Sequence, residues 1–503
     1  MSTDDLAARA IEEPAAYGLR QRSGWVLGPA ALLATLILPP PEGLSVEGWR
    51  TAGAALLLAA FWIAESIPIP ATALLPLVLF PVLRLGDIRE TAAPYANPVI
   101  YLFLGGFLIA LAMQRWNLHR RVAVTLIGWL GTRPSAIVAG VLLSSALVSM
   151  WVSNTATSLM MLPIAISIVH LVPDGERATP EMRAFGTALL LAVAYGATTG
   201  GMGTLVGTTP NALVAGYMSD IYDVTIGFGQ WMLLGVPVVL VALPLVFVVL
   251  TRVMFRLGSE ELPGMAALLA TERARLGRPG RGELTVAIVF MLTATAWVTQ
   301  PLIERVAPFV SDTTIAMAGA LLLFMIPVNL RRGEFTLNWE TASQVPWGVL
   351  ILFGGGLSLA GSIERHGLSQ YLGTLAGGLE GLPMILILAV VCFGILLLTE
   401  LTSNTATAAT FLPIAGALGL SLGQNPLLFL IPTALAANCS YMLPVGTPPN
   451  AIVYGSGLIT LPQMARAGII LNLVLVPVVV GLLLLLGPLV FGIEVDVLPE
   501  WVG

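Results

Sequence analysis

The chain has 503 residues, 57% of them hydrophobic and only 10% charged, with a formal net charge of −5. A soluble domain carries roughly 25% charged residues, so this composition excludes an ordinary soluble protein, and no basic patch for nucleic acid is visible. Continuous apolar runs of about 20 residues point to an all-α polytopic membrane protein, whereas a β-barrel shows short alternating segments.

The first 24 residues mix Asp4, Asp5, Glu12 and Glu13 with Arg9, Arg20 and Arg22. That is a polar tail rather than a signal peptide, and the first span is expected from Trp25. Spans follow near 25–40, 48–66, 70–86 and 97–114. A basic amphipathic stretch, "QRWNLHRRVAVTLIGWLGTR", suits the membrane interface. The apolar segment 134–172 is interrupted at Ser153-Asn154-Thr155. Further spans lie near 184–218, 229–251, 284–302, 312–329 and 346–363, with an Arg-rich polar linker at 257–283. A second interrupted segment covers 384–422, and spans near 427–458 and 464–492 complete the chain.

The two interruptions carry the same text. "SNTATSLMMLPIA" from Ser153 and "SNTATAATFLPIA" from Ser403 agree at nine of thirteen positions, 250 residues apart. Each is followed by a second matched stretch, "GTTPNALVAG" from Gly207 and "GTPPNAIVYG" from Gly446. Reading both interrupted segments as re-entrant hairpins, with the N-terminus inside, leaves only Arg50, Arg84, Arg89, Arg305 and Arg365 of the 23 basic residues outside. This satisfies the positive-inside bias. Reading them as full spans puts the Arg-rich linker outside. The hairpin reading gives about 11 transmembrane helices plus two hairpins. An odd number of spans, five, separates the hairpins, so the repeat is inverted, an architecture of secondary transporters. The C-terminus then falls outside.

Non-helical backbone at membrane depth must be buried or line a wet cavity. Ser, Asn and Thr favour helix starts, Gly permits a break, and Pro suits the first turn. Four helix N-termini are therefore expected, and their free N–H groups and partial positive charge suit an anion. The sequence contains no Lys, and no Arg lies in the four motifs. A dianion must then be balanced by helix ends and by co-bound cations. Hydroxyls, an amide oxygen and carbonyls are neutral hard ligands suited to Na⁺. Ser and Thr in spans also bond simply to their own helix or a neighbour, but duplication with a matched second motif argues against that reading. Glu65 and Glu400 are the ionisable residues to weigh, Glu400 as either a functional group or a structural hydrogen-bond partner. His119, His170 and His366 lie near span ends and read as interfacial. Cys392 and Cys439 read as buried free thiols.

"TELTSNTAT" from Thr399, "GGMGTLVGTTPN" from Gly200, "LPVGTPPNAIV" from Leu443 and the paired SNT motifs resemble the divalent anion/sodium symporter family, carriers of dicarboxylates, citrate and sulfate. The likeness covers nearly the whole chain. Gly446 stands where Ala is frequent, and Asn438 and Tyr441 stand where the family signature favours Ser and Phe. The resemblance implies one sodium site at Ser149, Ser153, Asn154 and Gly207, and another at Thr399, Ser403, Asn404 and Gly446. It implies substrate contacts from Asn154, Thr155, Thr208, Asn404, Thr405 and Thr447. Ser149 and Thr399 each precede the SNT serine by four residues, one helical turn on the same face.

The resemblance further implies a homodimer in the plasma (inner) membrane and an elevator-type transporter. The implied domains are a tail (1–24), scaffold (25–133 and 284–383), transport domain (134–256 and 384–492), linker (257–283) and outer tail (493–503). The expected activity is sodium-coupled import of C4 dicarboxylates such as succinate, malate or fumarate. A sodium-independent exchanger, or a citrate or sulfate carrier, is the alternative. An intramembrane hydrolase is disfavoured, because neither Ser153 nor Ser403 has a nearby His or Lys. A channel fits poorly with two capped hairpins around one site.

Overall fold

The computed structural model describes residues 18–171, 179–375 and 381–502. Most of the expected tail (1–17) and residues 172–178, after the first interrupted segment, fall outside the described residues. Among the described residues, the regular secondary structure is helical except for a small antiparallel ribbon, β1 (Pro327–Asn329) with β2 (Glu334–Phe335).

The first two helices, α1 (Leu19–Ile37) and α2 (Val46–Ala64), pack side by side. The first helix starts before the expected Trp25. Its polar opening turn is held by Arg20, which donates to the Ile63 carbonyl and pairs with Glu65, both at 2.9 Å. The expected span at 70–86 is instead two short helices, Ile69–Thr72 and Pro76–Leu83. Pro76 has no N–H to continue the ladder from the preceding turn.

Next come α3 (Pro98–Arg115), α4 (Leu118–Leu130), α5 (Pro134–Ser149), α6 (Asn154–Val169), α7 (Pro180–Gly201) and α8 (Thr209–Tyr222). The prolines opening α3, α5 and α7 occupy the one turn where a missing N–H costs nothing. After α9 (Phe228–Val248), which runs on as a π-helical stretch to Met254, the linker folds as α10 (Met265–Leu276). It lies against α4, where Arg120 pairs with Glu272 at 2.6 Å and Arg121 with Glu283. The basic amphipathic stretch read from the sequence is α4, held here by ion pairs.

The second half contains α11 (Arg281–Val298), α12 (Asp312–Met325), α13 (Trp347–Arg365), α14 (Leu368–Leu375), α15 (Met384–Thr399), α16 (Asn404–Ser421), α17 (Leu427–Asn438), α18 (Pro448–Tyr454) and α19 (Leu461–Phe491). The repeat is longer than its motifs. Arg115 ends α3 and Arg365 ends α13, again 250 residues apart. The corner before α4 is Asn117 at φ 55°, and the corner before α14 is Gly367 at φ 71°. Asn and Gly are the residues that accept this left-handed conformation most readily.

Six helical stretches among the described residues are long and apolar enough to cross a membrane: Ile88–Arg115, Pro180–Gly201, Phe228–Met254, Arg281–Val298, Trp347–Arg365 and Leu461–Phe491. Three of the four helices flanking the SNT motifs, α5, α6 and α15, are apolar but only 16 residues long. At 1.5 Å per residue they reach roughly 24 Å, short of the ~30 Å hydrocarbon core.

The helices α7 and α17 form the buried centre of the SNT region. Every residue from Phe185 to Gly201 is buried, as is every residue of α17. The repeats interlock around them: α6 packs on α18, and α8 packs on α16 and α17. This interlocking brings the two matched motifs of one repeat against those of the other.

Candidate ion and substrate site

All four expected helix starts are present. Ser153 precedes α6, Ser403 precedes α16, Thr208 precedes α8 and Thr447 precedes α18. Their capping differs from expectation. Only Ser153 accepts a hydrogen bond, from the Ala156 N–H at 3.4 Å, and the other three side chains cap nothing. With so little capping, the first-turn N–H groups stay available to an external acceptor. The helix α18 has only seven residues, so its dipole adds little, and three substantial helix ends replace the expected four.

The first cluster forms where the turn after α5 meets the unwound backbone between α7 and α8. The buried Ser149 hydroxyl donates to Asn154 Oδ1 at 2.6 Å. The Asn154 oxygen also lies against Gly201: a Cβ on that glycine would stand 2.6 Å from it and 3.2 Å from the Gly207 carbonyl oxygen. Only glycine lets the unwound chain come this close. The Thr204 hydroxyl donates to the Met150 carbonyl and accepts from the Gly207 N–H at 3.0 Å. Thr208 is 8% exposed, and its hydroxyl oxygen has no partner among the described residues.

The second cluster repeats the first with its own chemistry. The buried Thr399 hydroxyl donates to the Ala437 carbonyl at 2.7 Å. With its amide nitrogen turned inward, Asn404 lies 2.8 Å from Thr399 Oγ1 and 3.2 Å from both the Gly446 and Ala437 carbonyl oxygens. Three neutral oxygens thus converge on one asparagine, and rotating that amide by half a turn adds a fourth. The donor set is hydroxyl, amide and carbonyl oxygen, the hard neutral set that Na⁺ takes. No Lys exists in the chain, and no Arg hydrogen-bonds to either cluster among the described residues.

Thr155 and Thr405 are half-buried in the first turn of their helices, each next to its SNT asparagine, and Thr447 is buried. The structure therefore sets Ser149 and Asn154 beside the Gly201–Gly207 backbone, and Thr399 and Asn404 beside the Gly446 and Ala437 carbonyls, while Ser153 and Ser403 open the adjoining helices. His119 meets the Met113 carbonyl across the α3–α4 corner at 3.0 Å, and His366 meets the Ser362 carbonyl at 2.8 Å and the Thr51 hydroxyl of α2 at 3.4 Å. His170 ends α6, away from its SNT start. Glu65 is a half-exposed partner of Arg20. The two cysteines are buried and free.

Glu400 is bound on all sides by hydrogen bonds within the protein. Its carboxylate accepts from the Tyr441, Met442 and Leu443 N–H groups at 2.8, 2.9 and 3.0 Å. It also accepts from Asn472 at 2.8 Å and the Ser440 hydroxyl at 3.3 Å. Successive N–H groups folded around one anion form a nest. The unwound chain after α17 is held in this way to the second SNT turn. The corresponding residue in the first repeat is Met150, whose carbonyl takes the Thr204 hydroxyl instead.

Residues outside the expected set complete both clusters. Asn211 Nδ2 donates to the carbonyls of Gly201 at 3.2 Å and Thr204 at 2.8 Å, and Asn450 Nδ2 donates to those of Ser440 at 3.2 Å and Leu443 at 3.1 Å. They are the final asparagines of GTTPN and GTPPN. Their duplication was the available signal.

Residues 22–493 match the family described as the sodium:sulfate symporter transmembrane region. The chain is 42% identical over 491 residues to the sodium-dependent dicarboxylate transporter SdcS of Staphylococcus saprophyticus, covering 96% of this chain and 95% of that protein. It is 41% identical to the SdcS of Staphylococcus aureus strain USA300, covering 95% and 94%. Two solved structures share the fold at low identity. The YdaH transporter of Alcanivorax borkumensis has a TM-score of 0.57 at 15% identity, covering 89% of this chain and 98% of that one. MtrF of Neisseria gonorrhoeae has a TM-score of 0.55 at 13% identity, covering 93% and 95%. With the paired SNT clusters and a match along almost its whole length, the chain belongs to the sodium:sulfate symporter family.

Proposed function

We propose that this protein is a secondary transporter that couples inward sodium movement to uptake of C4 dicarboxylates such as succinate, malate and fumarate. The observation that carries the reading is the matched pair of oxygen clusters, each centred on an SNT asparagine beside a hydroxyl one turn earlier. The Ser149–Asn154 and Thr399–Asn404 separations are 2.6 and 2.8 Å. The relatives over 40% identical bear the name sodium-dependent dicarboxylate transporter.

A dicarboxylate brings two negative charges into a region without Lys or Arg. Burying unpaired charge is costly. Two sodium ions, one in each cluster, neutralise it, and the free N–H groups at the starts of α6 and α16 receive its carboxylates beside Asn154, Thr155, Asn404 and Thr405. Thr208 and Thr447 line the same space. The cargo is then close to neutral when it crosses. Affinity for substrate depends on sodium because the cations supply the balancing charge.

In the same reading α5–α6 and α15–α16 are re-entrant hairpins entering from opposite faces, among about eleven crossings. The N-terminus is cytoplasmic and the C-terminus extracytoplasmic in the plasma membrane. The protein is a homodimer of elevators: 134–256 and 384–492 move against 25–133 and 284–383. The short α5, α6 and α15 and the Arg-rich linker support this topology.

The test is uptake of labelled succinate into proteoliposomes. An inward sodium gradient drives accumulation, and potassium does not replace it. Equal uptake without sodium, stimulated by internal dicarboxylate, identifies an exchanger instead. Competition by citrate or sulfate stronger than by malate reassigns the substrate.

A further inference from the structure

The two clusters are joined by a chain of hydrogen bonds that crosses between the repeats. At the first SNT turn, the Thr204 hydroxyl holds the Met150 carbonyl. The Thr204 carbonyl accepts from Asn211 Nδ2 at 2.8 Å, and Asn211 Oδ1 accepts from Asn438 Nδ2 at 3.0 Å. The Asn438 carbonyl accepts from the Ser440 N–H at 2.9 Å, and the Ser440 hydroxyl donates to Glu400 at the second SNT turn at 3.3 Å. A second crossing runs beside the first: the Tyr441 and Thr199 hydroxyls stand 2.9 Å apart, while the Tyr441 N–H donates to Glu400. Thr199, Thr204, Asn211, Asn438, Ser440 and Tyr441 are at most 1% exposed.

The second repeat shows what the bridge adds. Asn450 clasps its own loop through Nδ2, as Asn211 does, yet Asn450 Oδ1 has no partner among the described residues. Clasping the loop therefore does not require a bond to the amide oxygen. The Asn438–Asn211 bond is extra, and it spans the two repeats. Asn438→Ser and Tyr441→Phe each remove one of these two crossings. Ser is too short to reach Asn211, and Phe has no hydroxyl for Thr199.

We propose that Asn438 and Tyr441 are positioning residues that make the two cation clusters one cooperative unit. The inference rests on reading both clusters as sodium sites. Sodium in the first cluster orders the 201–207 backbone, and Asn211 is clasped to that backbone. Its amide oxygen then presents a fixed acceptor to Asn438, and Tyr441 a fixed partner to Thr199. The 438–446 backbone is thereby ordered before its own ion arrives. The second ion meets a smaller ordering cost, which is positive coupling, and the effect is reciprocal.

The experiment compares the parent protein with the Asn438→Ser/Tyr441→Phe double variant, both in detergent and in proteoliposomes. Two readouts are taken: sodium dependence of succinate uptake, and sodium-dependent thermal stabilisation without succinate. For two coupled sites the Hill coefficient rises toward about two. The expected result is a parent value well above one that falls toward one in the variant. Half-saturating sodium rises several-fold, and uptake at saturating sodium is largely retained. In the parent, Ser149→Ala and Thr399→Ala shift half-saturating sodium non-additively, whereas in the double variant they add. An unchanged Hill coefficient overturns the proposal, including when the sodium-free melting temperature falls, since that pattern is purely structural. If uptake is too weak to measure, the thermal titration decides by the same criterion. A parent protein with no sodium response in either readout removes the sodium reading itself, which distinguishes that failure from loss of coupling.

Discussion

Glu400 Oε1 accepts a hydrogen bond from Asn472 Nδ2 at 2.8 Å, tying the second SNT turn to the long helix α19. Both residues are buried, and the same carboxylate closes the nest of N–H groups at 441–443. Glu400→Gln keeps the shape but replaces one acceptor oxygen with a donor facing other donors. Each charge-assisted bond lost costs about 1.5–3 kcal/mol. The variant is expected to unfold at clearly lower temperature in detergent and to lose most sodium-driven uptake. Asn472→Ala leaves the backbone nest intact and removes a single charge-assisted bond, about 1.5–3 kcal/mol, so it should cost less than Glu400→Gln. Equal melting temperatures for Glu400→Gln and the parent protein would show that the unwound loop holds its form without the carboxylate.

Asn154 and Asn404 stand at the centre of their clusters, whereas Ser149 and Thr399 contribute one hydroxyl each. Asn154→Ala and Asn404→Ala should each reduce transport to near background, because each amide is proposed to serve both cation and substrate. Ser149→Ala and Thr399→Ala remove a single ligand. At about 1–3 kcal/mol, that corresponds to a roughly tenfold to hundredfold rise in half-saturating sodium, with maximal uptake much less affected. Sodium titration of uptake at fixed succinate separates the two outcomes. An unaltered sodium dependence in Ser149→Ala would remove that hydroxyl from the cation cluster.

The parts of this site spelled out in side chains were legible from the sequence. SNT and GTxPN mark all four helix starts, Gly permitting the break and Pro suiting the first turn, although only Ser153 caps its helix. The role of Glu400 was not legible, since three of its partners are backbone N–H groups of residues whose names say nothing about them. The Asn211–Asn438 contact spans 227 residues and depends on how α8 and α17 pack. The short break within the expected 70–86 span falls just before Pro76, which has no N–H to continue the ladder. The early start of α1 turned on Arg20 finding the Ile63 carbonyl and Glu65, a long-range partnership with no local signal.

Gly201 offers a steric test of the first cluster that removes no polar atom. A methyl group there would stand 2.6 Å from Asn154 Oδ1 and closer still to the Thr208 methyl. The wall on that side is the carbonyl of Gly207, which is backbone and gives way poorly. Gly201→Ala should therefore displace Asn154 and raise half-saturating sodium strongly. The surroundings of Gly361 are open, so Gly361→Ala serves as the control with unchanged uptake. Similar sodium affinity in both variants would mean that the Asn154 amide is not held against the 201–207 backbone when ions bind.

The proposed movement can be tested where the first SNT turn meets α3. Val148 of α5 and Val152 of the SNT turn pack with Ala110 of α3, and Ala156 and Met160 lie against the same small cluster. Ala110 belongs to the proposed scaffold, and the other four belong to the proposed transport domain. An elevator must break this contact during every cycle, because the SNT turn travels with its cluster while α3 stays. A gate confined to the hairpin loop need not break it at Val148, which lies within α5 rather than in the turn. Cysteines at Ala110 and Val148, with Cys392 and Cys439 replaced first, should be bridged by a short bifunctional thiol reagent. Bridging should stop succinate uptake while sodium still raises the melting temperature, since the clusters lie wholly on the moving side. Each single-cysteine protein treated in the same way should keep its uptake. Full transport by the bridged protein would exclude relative movement of α3 and α5 and leave local opening of the SNT turn as the mechanism.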